Sequence, residues 1–195
     1  MCSSDLTASK SGNYTVTSTI DGCTGAASTA TVILVKQNPA IPVISTEGAT
    51  VFCEGGQVKL GSNALAGNQW YRNGVAIKDQ NGTSFLASTS GVYTVSSTID
   101  GCTTTSNKTV AVTVNSYPAV PLISANGNLS FCDGESVLLT ANATTGLQWM
   151  KDGMQIKNAT GSSYSATEPG YYTVSATFNG CTTSAQRSEE HTSEL

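Results

Sequence analysis

Apolar and polar residues alternate along this chain with a period of two, in short β-branched runs broken by Gly, Asn and Asp. Successive side chains of an extended strand point to opposite faces, so this pattern predicts half-buried strands, and no helical periodicity of useful length competes with it. Between 37 and 115 it predicts strands over 42–45, 49–53, 57–63, 68–72, 75–78, 84–87, 91–99 and 103–114. Asn73-Gly74 and Asp152-Gly153 have the chemistry of two-residue hairpin turns, whose central residues both need positive φ. The fold class is all-β.

The pattern also repeats, with a period of 79 residues. Pro42 recurs as Pro121, Cys53 as Cys132, Trp70 as Trp149 and Gly91 as Gly170. Tyr93 and Cys102 recur forward as Tyr172 and Cys181 and backward as Tyr14 and Cys23. Residues 37–107 and 116–186 share 32 identities in 71 positions without an insertion, which indicates duplication. Tandem β-sandwich repeats follow as the expected architecture. Residues 1–36 are read as the last strands of a truncated repeat, 37–115 as a complete repeat, and 116–186 as a repeat lacking its last strand. Residues 187–195 are a tail outside the pattern.

The two ends read as foreign. The tail RSEEHTSEL matches the translation of a common sequencing-library adapter, and CSSDL at 2–6 matches its opposite strand in a shifted frame. This changes the charge argument. The formal net charge is −4, but without residues 1–6 and 187–195 eight cations face nine anions, a net of −1. A nearly neutral chain offers no basic face to phosphate backbones or anionic lipid, so nucleic acid is disfavoured as a partner. No apolar stretch approaches the length of a membrane span, so no membrane insertion is expected. His191, the sole histidine, belongs to the tail. No general base and no converging pair of acids is nominated, so no catalytic residue, cofactor or metal site is expected. The reading is therefore not an enzyme. Asp100-Gly101, Glu54-Gly55 and Asp133-Gly134 are scattered, as turns are, and form no calcium loop.

Seven or eight short strands per repeat, with a Trp on the third long strand and Gly-x-Tyr entering the sixth, match the arithmetic of an Ig-like sandwich. The segments FCEGGQVKL, NQWYRNG, SGVYTVSSTIDGC and KTVAVTV, with the copies FCDGESVLL, LQWMKDG and PGYYTVSATFNGC, resemble the Ig-like repeats of large bacterial surface and secreted proteins. The resemblance implies an extracellular stalk or weakly adhesive, multivalent module. Its partners would be neighbouring repeats of the same chain, with surface glycans or proteins as further contacts. The alternative is a set of carbohydrate-binding modules beside a secreted hydrolase, which would need Tyr71, Phe85, Tyr164 and Tyr171 exposed in a row.

Alternation turns Trp70 and Trp149 inward as core residues. Tyr93, Tyr172 and, in the truncated repeat, Tyr14 resemble the tyrosine corner of Ig folds, a structural role. Two cysteines per repeat favour disulfides over metal binding, since no Cys-x-x-Cys occurs. The candidates are Cys23, Cys53, Cys102, Cys132 and Cys181. Cys53 precedes one long strand and Cys102 follows another that runs the same way, so the two should lie roughly 20 Å apart by strand rise. A bridge needs Cα atoms within about 7 Å. This favours an inter-repeat Cys53–Cys181 bridge over Cys53–Cys102 and Cys132–Cys181, although an irregular first strand would still permit the latter pairs.

Overall fold

The computed structural model describes residues 6–143 and 145–185. An N-terminal piece carries β1 (Gly12–Tyr14), β2 (Thr19–Ile20), β3 (Cys23–Thr24) and β4 (Thr31–Ile33). A first sandwich follows with β5 (Ile44–Glu47), β6 (Val51–Cys53), β7 (Val58–Ser62), β8 (Asn68–Arg72), β9 (Val75–Ala76), β10 (Ser84–Ala87), β11 (Gly91–Ile99), β12 (Cys102–Thr105) and β13 (Val110–Asn115). The second sandwich contains β14 (Ile123–Asn126), β15 (Val137–Ala141), β16 (Leu147–Lys151), β17 (Met154–Gln155), β18 (Ser163–Ala166), β19 (Tyr172–Phe178) and β20 (Cys181–Ser184).

In the first sandwich one sheet has the order β10-β7-β5, and the other has β6-β13-β11-β8-β9 with β12 also on β11. The ladders are antiparallel except that β6 runs parallel to β13. Two such sheets, connected by crossovers between them, are an Ig-like sandwich. The second sandwich has β14-β15-β18 facing β17-β16-β19-β20. Its pairings use equivalent residues: Trp70 opposes Val95, and Trp149 opposes Val174.

Each sandwich closes over its own core. Val58, Leu60, Trp70, Tyr93 and Val95 are buried in the first, and Val137, Leu139, Leu147, Trp149 and Val174 in the second. The Trp70 and Trp149 rings are fully buried. An indole carries one N–H that must be satisfied once buried. Trp70 Nε1 donates to the Gly82 carbonyl at 3.0 Å and Trp149 Nε1 to that of Gly161 at 2.9 Å. Tyr93, Tyr172 and Tyr14 each donate a hydroxyl hydrogen bond to the carbonyl four residues upstream, on Thr89, Glu168 and Lys10. That geometry is a tyrosine corner.

The structure revises the last strand. The run predicted over 103–114 is two strands, β12 and β13, separated at 106–109. The break falls at Ser106: its N–H donates to the Val95 carbonyl at 2.8 Å, as Ala185 does to Val174 in the second sandwich, while its buried Oγ accepts from Val95 N at 3.2 Å. A side chain thus takes a backbone group's place in the ladder, the chain shifts, and β13 resumes against Gly91–Tyr93. The strand predicted over 49–53 begins at Val51 and exists as a partner of β13. Residues 130–132 at the equivalent place in the second sandwich form no strand. The expected tail over 187–195, and residues 1–5 of the expected foreign start, lie outside the described residues.

Candidate functional site

A disulfide and side-chain hydrogen bonds join the two sandwiches where they meet. β13 ends at Asn115, whose register partner on β6 is Cys53. Beyond Cys53 the chain stays on β13, with Glu54 N donating to the Asn115 carbonyl at 2.9 Å. This holds the Cys53 sulfur at the end of the first sandwich. Facing it, the β19–β20 hairpin turns through Asn179 (φ 48°) and Gly180 (φ 82°), a geometry that matches the handedness of the flanking strands. Cys181 follows directly. The two cysteines are joined as a disulfide with Cα atoms 5.7 Å apart.

Neutral hydrogen bonds surround the bridge. Asn115 Nδ2 donates to the Asn179 carbonyl at 3.0 Å, and Thr183 Oγ1 donates to the Pro118 and Ala119 carbonyls at 3.2 and 3.4 Å. Cys181 is 1% exposed, so the bridge is shielded on that side. The same arrangement stands at the other end of the first sandwich. Lys36 Nζ donates to the Asp100 carbonyl at 2.7 Å and Thr104 Oγ1 to that of Ala40 at 3.2 Å. The residues of these two contacts are the sequence equivalents of Asn115, Asn179, Thr183 and Ala119. Cys102, the equivalent of Cys181, sits here with a free thiol.

The structure corrects the broader cysteine expectation. Cys23, Cys102 and Cys132 are free thiols, and neither Cys53–Cys102 nor Cys132–Cys181 forms. The reason is direction: Cys53 and Cys102 end up at opposite ends of one sandwich, and only the neighbour's hairpin brings a second sulfur to Cys53.

The aromatic candidates do not form a row. Phe85 packs between Trp70 and Tyr93, with centroids at 6.0 and 5.6 Å, and Tyr164 lies likewise between Trp149 and Tyr172 at 6.0 and 5.7 Å. Tyr71 is half-buried within its sheet and Tyr171 is exposed on the second sandwich. A cleft of about 500 Å³ is lined by Arg72, Asn73, Phe85, Thr89 and Tyr93. It contains a single charged side chain, and Tyr93 is already committed to its corner. Among the described residues no three His, Cys, Asp or Glu side chains converge as a metal site. Asp100-Gly101 is a hairpin turn with φ of 52° and 83°.

One ion pair perturbs titration. The hydrogen bond between Lys151 Nζ and Glu168 Oε2 raises the lysine pKa and lowers that of the carboxyl. Burial pushes the Tyr172 hydroxyl up. These groups stabilise the entry to β19 and present no reacting atom.

Sequence reasoning missed the junction hydrogen bonds. Their trace in the sequence is the recurrence of Thr104 as Thr183 and of Pro39-Ala40 as Pro118-Ala119, and a threonine on an exposed strand carries no special signal.

No family model matches this chain, and no curated protein matches it in sequence. Among solved structures it is similar to the human OSCAR ligand-binding domain, with 14% identity over 77% of this chain and 96% of that one, at a TM-score of 0.34. It is also similar to the Ig1–Ig3 ectodomain of mouse nectin-like molecule 4, with 18% identity over 74% of this chain and 61% of that one, at a TM-score of 0.30.

Proposed function

We propose that this chain is a stretch of an extracellular structural array, built of Ig-like repeats locked end to end, from a bacterial surface or secreted protein. In this reading residues 37–115 and 116–186 are successive repeats with a period of 79, and residues 1–36 belong to the preceding one. The observation that carries it is the Cys53–Cys181 bridge, which joins two sandwiches that each have a core of their own. A covalent tie in that position adds nothing to either core; its effect is to hold one sandwich in a set direction relative to the other. Disulfides persist in oxidising compartments, which supports the extracellular assignment. Such an array would project a distal domain or present weak contacts many times over, where avidity replaces single-site affinity. The dispersal of Phe85 and Tyr164 into the cores favours this over a sugar-stacking surface.

The test is Cys53→Ser in the full chain, followed by backbone 15N relaxation. The folded sheets should persist by circular dichroism while the two sandwiches, which tumble as one body when bridged, acquire separate correlation times. If the variant still tumbles as one rigid body, the bridge does not serve alignment and the reading fails.

A further inference from the structure

We infer that the cleft beside β8 in the first sandwich is a binding site for an acidic side chain of another protein, with Arg72 as the group that holds its carboxylate. This goes beyond the array reading, since it assigns a ligand to one sandwich and involves neither the junction nor its disulfide.

The second sandwich carries the same place with its carboxylate already supplied. Arg72 recurs as Lys151, Gly91 as Gly170 and Thr89 as Glu168. Both cationic side chains run over the glycine: a Cβ on Gly91 would fall 2.7 Å from Arg72 Cγ, and one on Gly170 would fall 2.6 Å from Lys151 Cε. The missing side chain thus opens the same course to both. In the second sandwich that course ends on the Glu168 carboxylate, to which Lys151 Nζ donates. The first sandwich keeps the cation and the course but not the acid. Thr89 stands in the place of Glu168, and neutral Asn73 in the place of Asp152. Asn73 Oδ1 and Asp152 Oδ1 each accept a backbone N–H at 2.8 Å, from Val92 and Tyr171, so the two turns are held alike and differ in charge.

One cation among two carboxylates has become one cation with none. Neither described ion pair includes Arg72, and no acidic residue lines the cleft of about 500 Å³ in front of it. A guanidinium presents a planar fork of donors that takes a carboxylate through two parallel hydrogen bonds, which an ammonium cannot do. The occupant in the second sandwich is a glutamate side chain, and the rest of the cleft suits a peptide better than an acidic sugar. Its one ring beside Tyr93, that of Phe85, is packed between Trp70 and Tyr93 and gives a sugar no face to stack on. β9, the last strand of its sheet, borders the cleft through Val75 and Ala76, so an extended acidic segment has a strand to run along. An ion pair that faces solvent is weak, so a single site should bind with a dissociation constant on the order of millimolar.

The experiment titrates the 15N-labelled full chain with the peptide acetyl-Thr-Val-Glu-Val-Thr-amide and follows the Arg72 Nε–H and Val92 N–H signals. Saturable shifts are expected with the glutamate peptide and none with its glutamine counterpart. They should also be lost at about 1 M salt, where screening acts within roughly 3 Å. Arg72→Gln should abolish them, while Arg72→Lys, which copies the second sandwich, should keep them in weaker form. Thr89→Glu supplies the internal carboxylate and should block the peptide. Lys151→Arg, Asp152→Asn and Glu168→Thr together make the converse change and should open a second site, seen as new saturable shifts at Tyr171. No saturable shift with the glutamate peptide overturns the site, as does binding that survives Arg72→Gln. A triple variant that gains no site overturns the equivalence from which the site is argued. Glucuronate that binds at Arg72 more tightly than the peptide overturns the protein partner in favour of a sugar acid. None of these outcomes touches the array reading, which is decided by the tumbling of the Cys53→Ser variant.

Discussion

At the scale of single residues, the two sandwiches act as internal controls for each other. Asn68 is buried with its Oδ1 unpartnered, while Nδ2 donates to the Ala64 carbonyl at 2.8 Å. Leu147 holds the equivalent place in the second sandwich and is equally buried. A buried acceptor without a donor retains its desolvation cost, so Asn68→Leu should stabilise the first sandwich by roughly 1 kcal/mol. Thermal denaturation checks this, and a lower melting temperature would contradict it. Gly67 and Gly146 show the opposite constraint. Both have φ near +67°, and a Cβ would fall 2.1 Å from the Thr98 carbonyl oxygen and 2.0 Å from that of Thr177. Gly67→Ala should therefore destabilise by more than about 1 kcal/mol, combining the wrong φ with a backbone clash. Trp70→Ala or Trp149→Ala removes the centre of a core and should cost about 3–5 kcal/mol, read from chemical denaturation. An unchanged midpoint would remove the indole from its central role.

At the scale of elements, the loop before β19 is pinned by the Lys151–Glu168 pair and by Tyr172 donating to the Glu168 carbonyl. Glu168 has a depressed pKa in the folded chain, so its contribution is present above the ordinary carboxylate range and fades as pH falls through that depressed value. Lys151 is raised, so its contribution is complete at neutral pH and is lost as pH rises through the raised value. Both groups face solvent, which keeps the effect small. Glu168→Gln should flatten the acid limb of melting temperature against pH while hardly moving the neutral value. A steeper acid limb in the variant would reverse the sign. Glu189, His191 and Ser193 stand one period after Val110, Val112 and Val114, which pack in the first core, so replacing all three by valine should give a larger effect and raise the melting temperature of the second sandwich. No gain would mean that this apolar row does not limit stability.

At the scale of the whole molecule, the two described ion pairs, Lys59–Glu47 and Lys151–Glu168, each lie within one sandwich. The junction between sandwiches is built from a disulfide and hydrogen bonds between neutral groups. Salt screens charge pairs and leaves such contacts nearly untouched. The alignment of the sandwiches should therefore be the same in dilute buffer and at about 1 M salt, where screening acts within roughly 3 Å. Small-angle scattering would show it, and a salt-dependent change in the distance distribution would point to charges at the junction that the structure does not contain.

The sequence by itself determined most of what is local. Alternation of period two specifies which face of β8 and β16 is buried, because a one-residue slip would place Gln69 and Gln148 in the core instead of the tryptophans. Asn-Gly and Asp-Gly pairs specify the hairpins, because few residues accept positive φ at both turn positions. Strand direction was legible too, and with it the reason that Cys53 and Cys102 stay apart. Tertiary structure decided the rest. Nothing in the run 103–114 announces that the strand breaks at Ser106 with its side chain turned inward, since a serine is equally at home on the outer face. β6 exists as the parallel partner of β13, a strand far along the chain, and residues 130–132, nearly the same sequence, form no strand. Strand direction in the sequence favoured Cys181 as the partner of Cys53, and the structure bears that pairing out, but its closure required the two sandwiches to meet end to end through contacts between residues 64 positions apart.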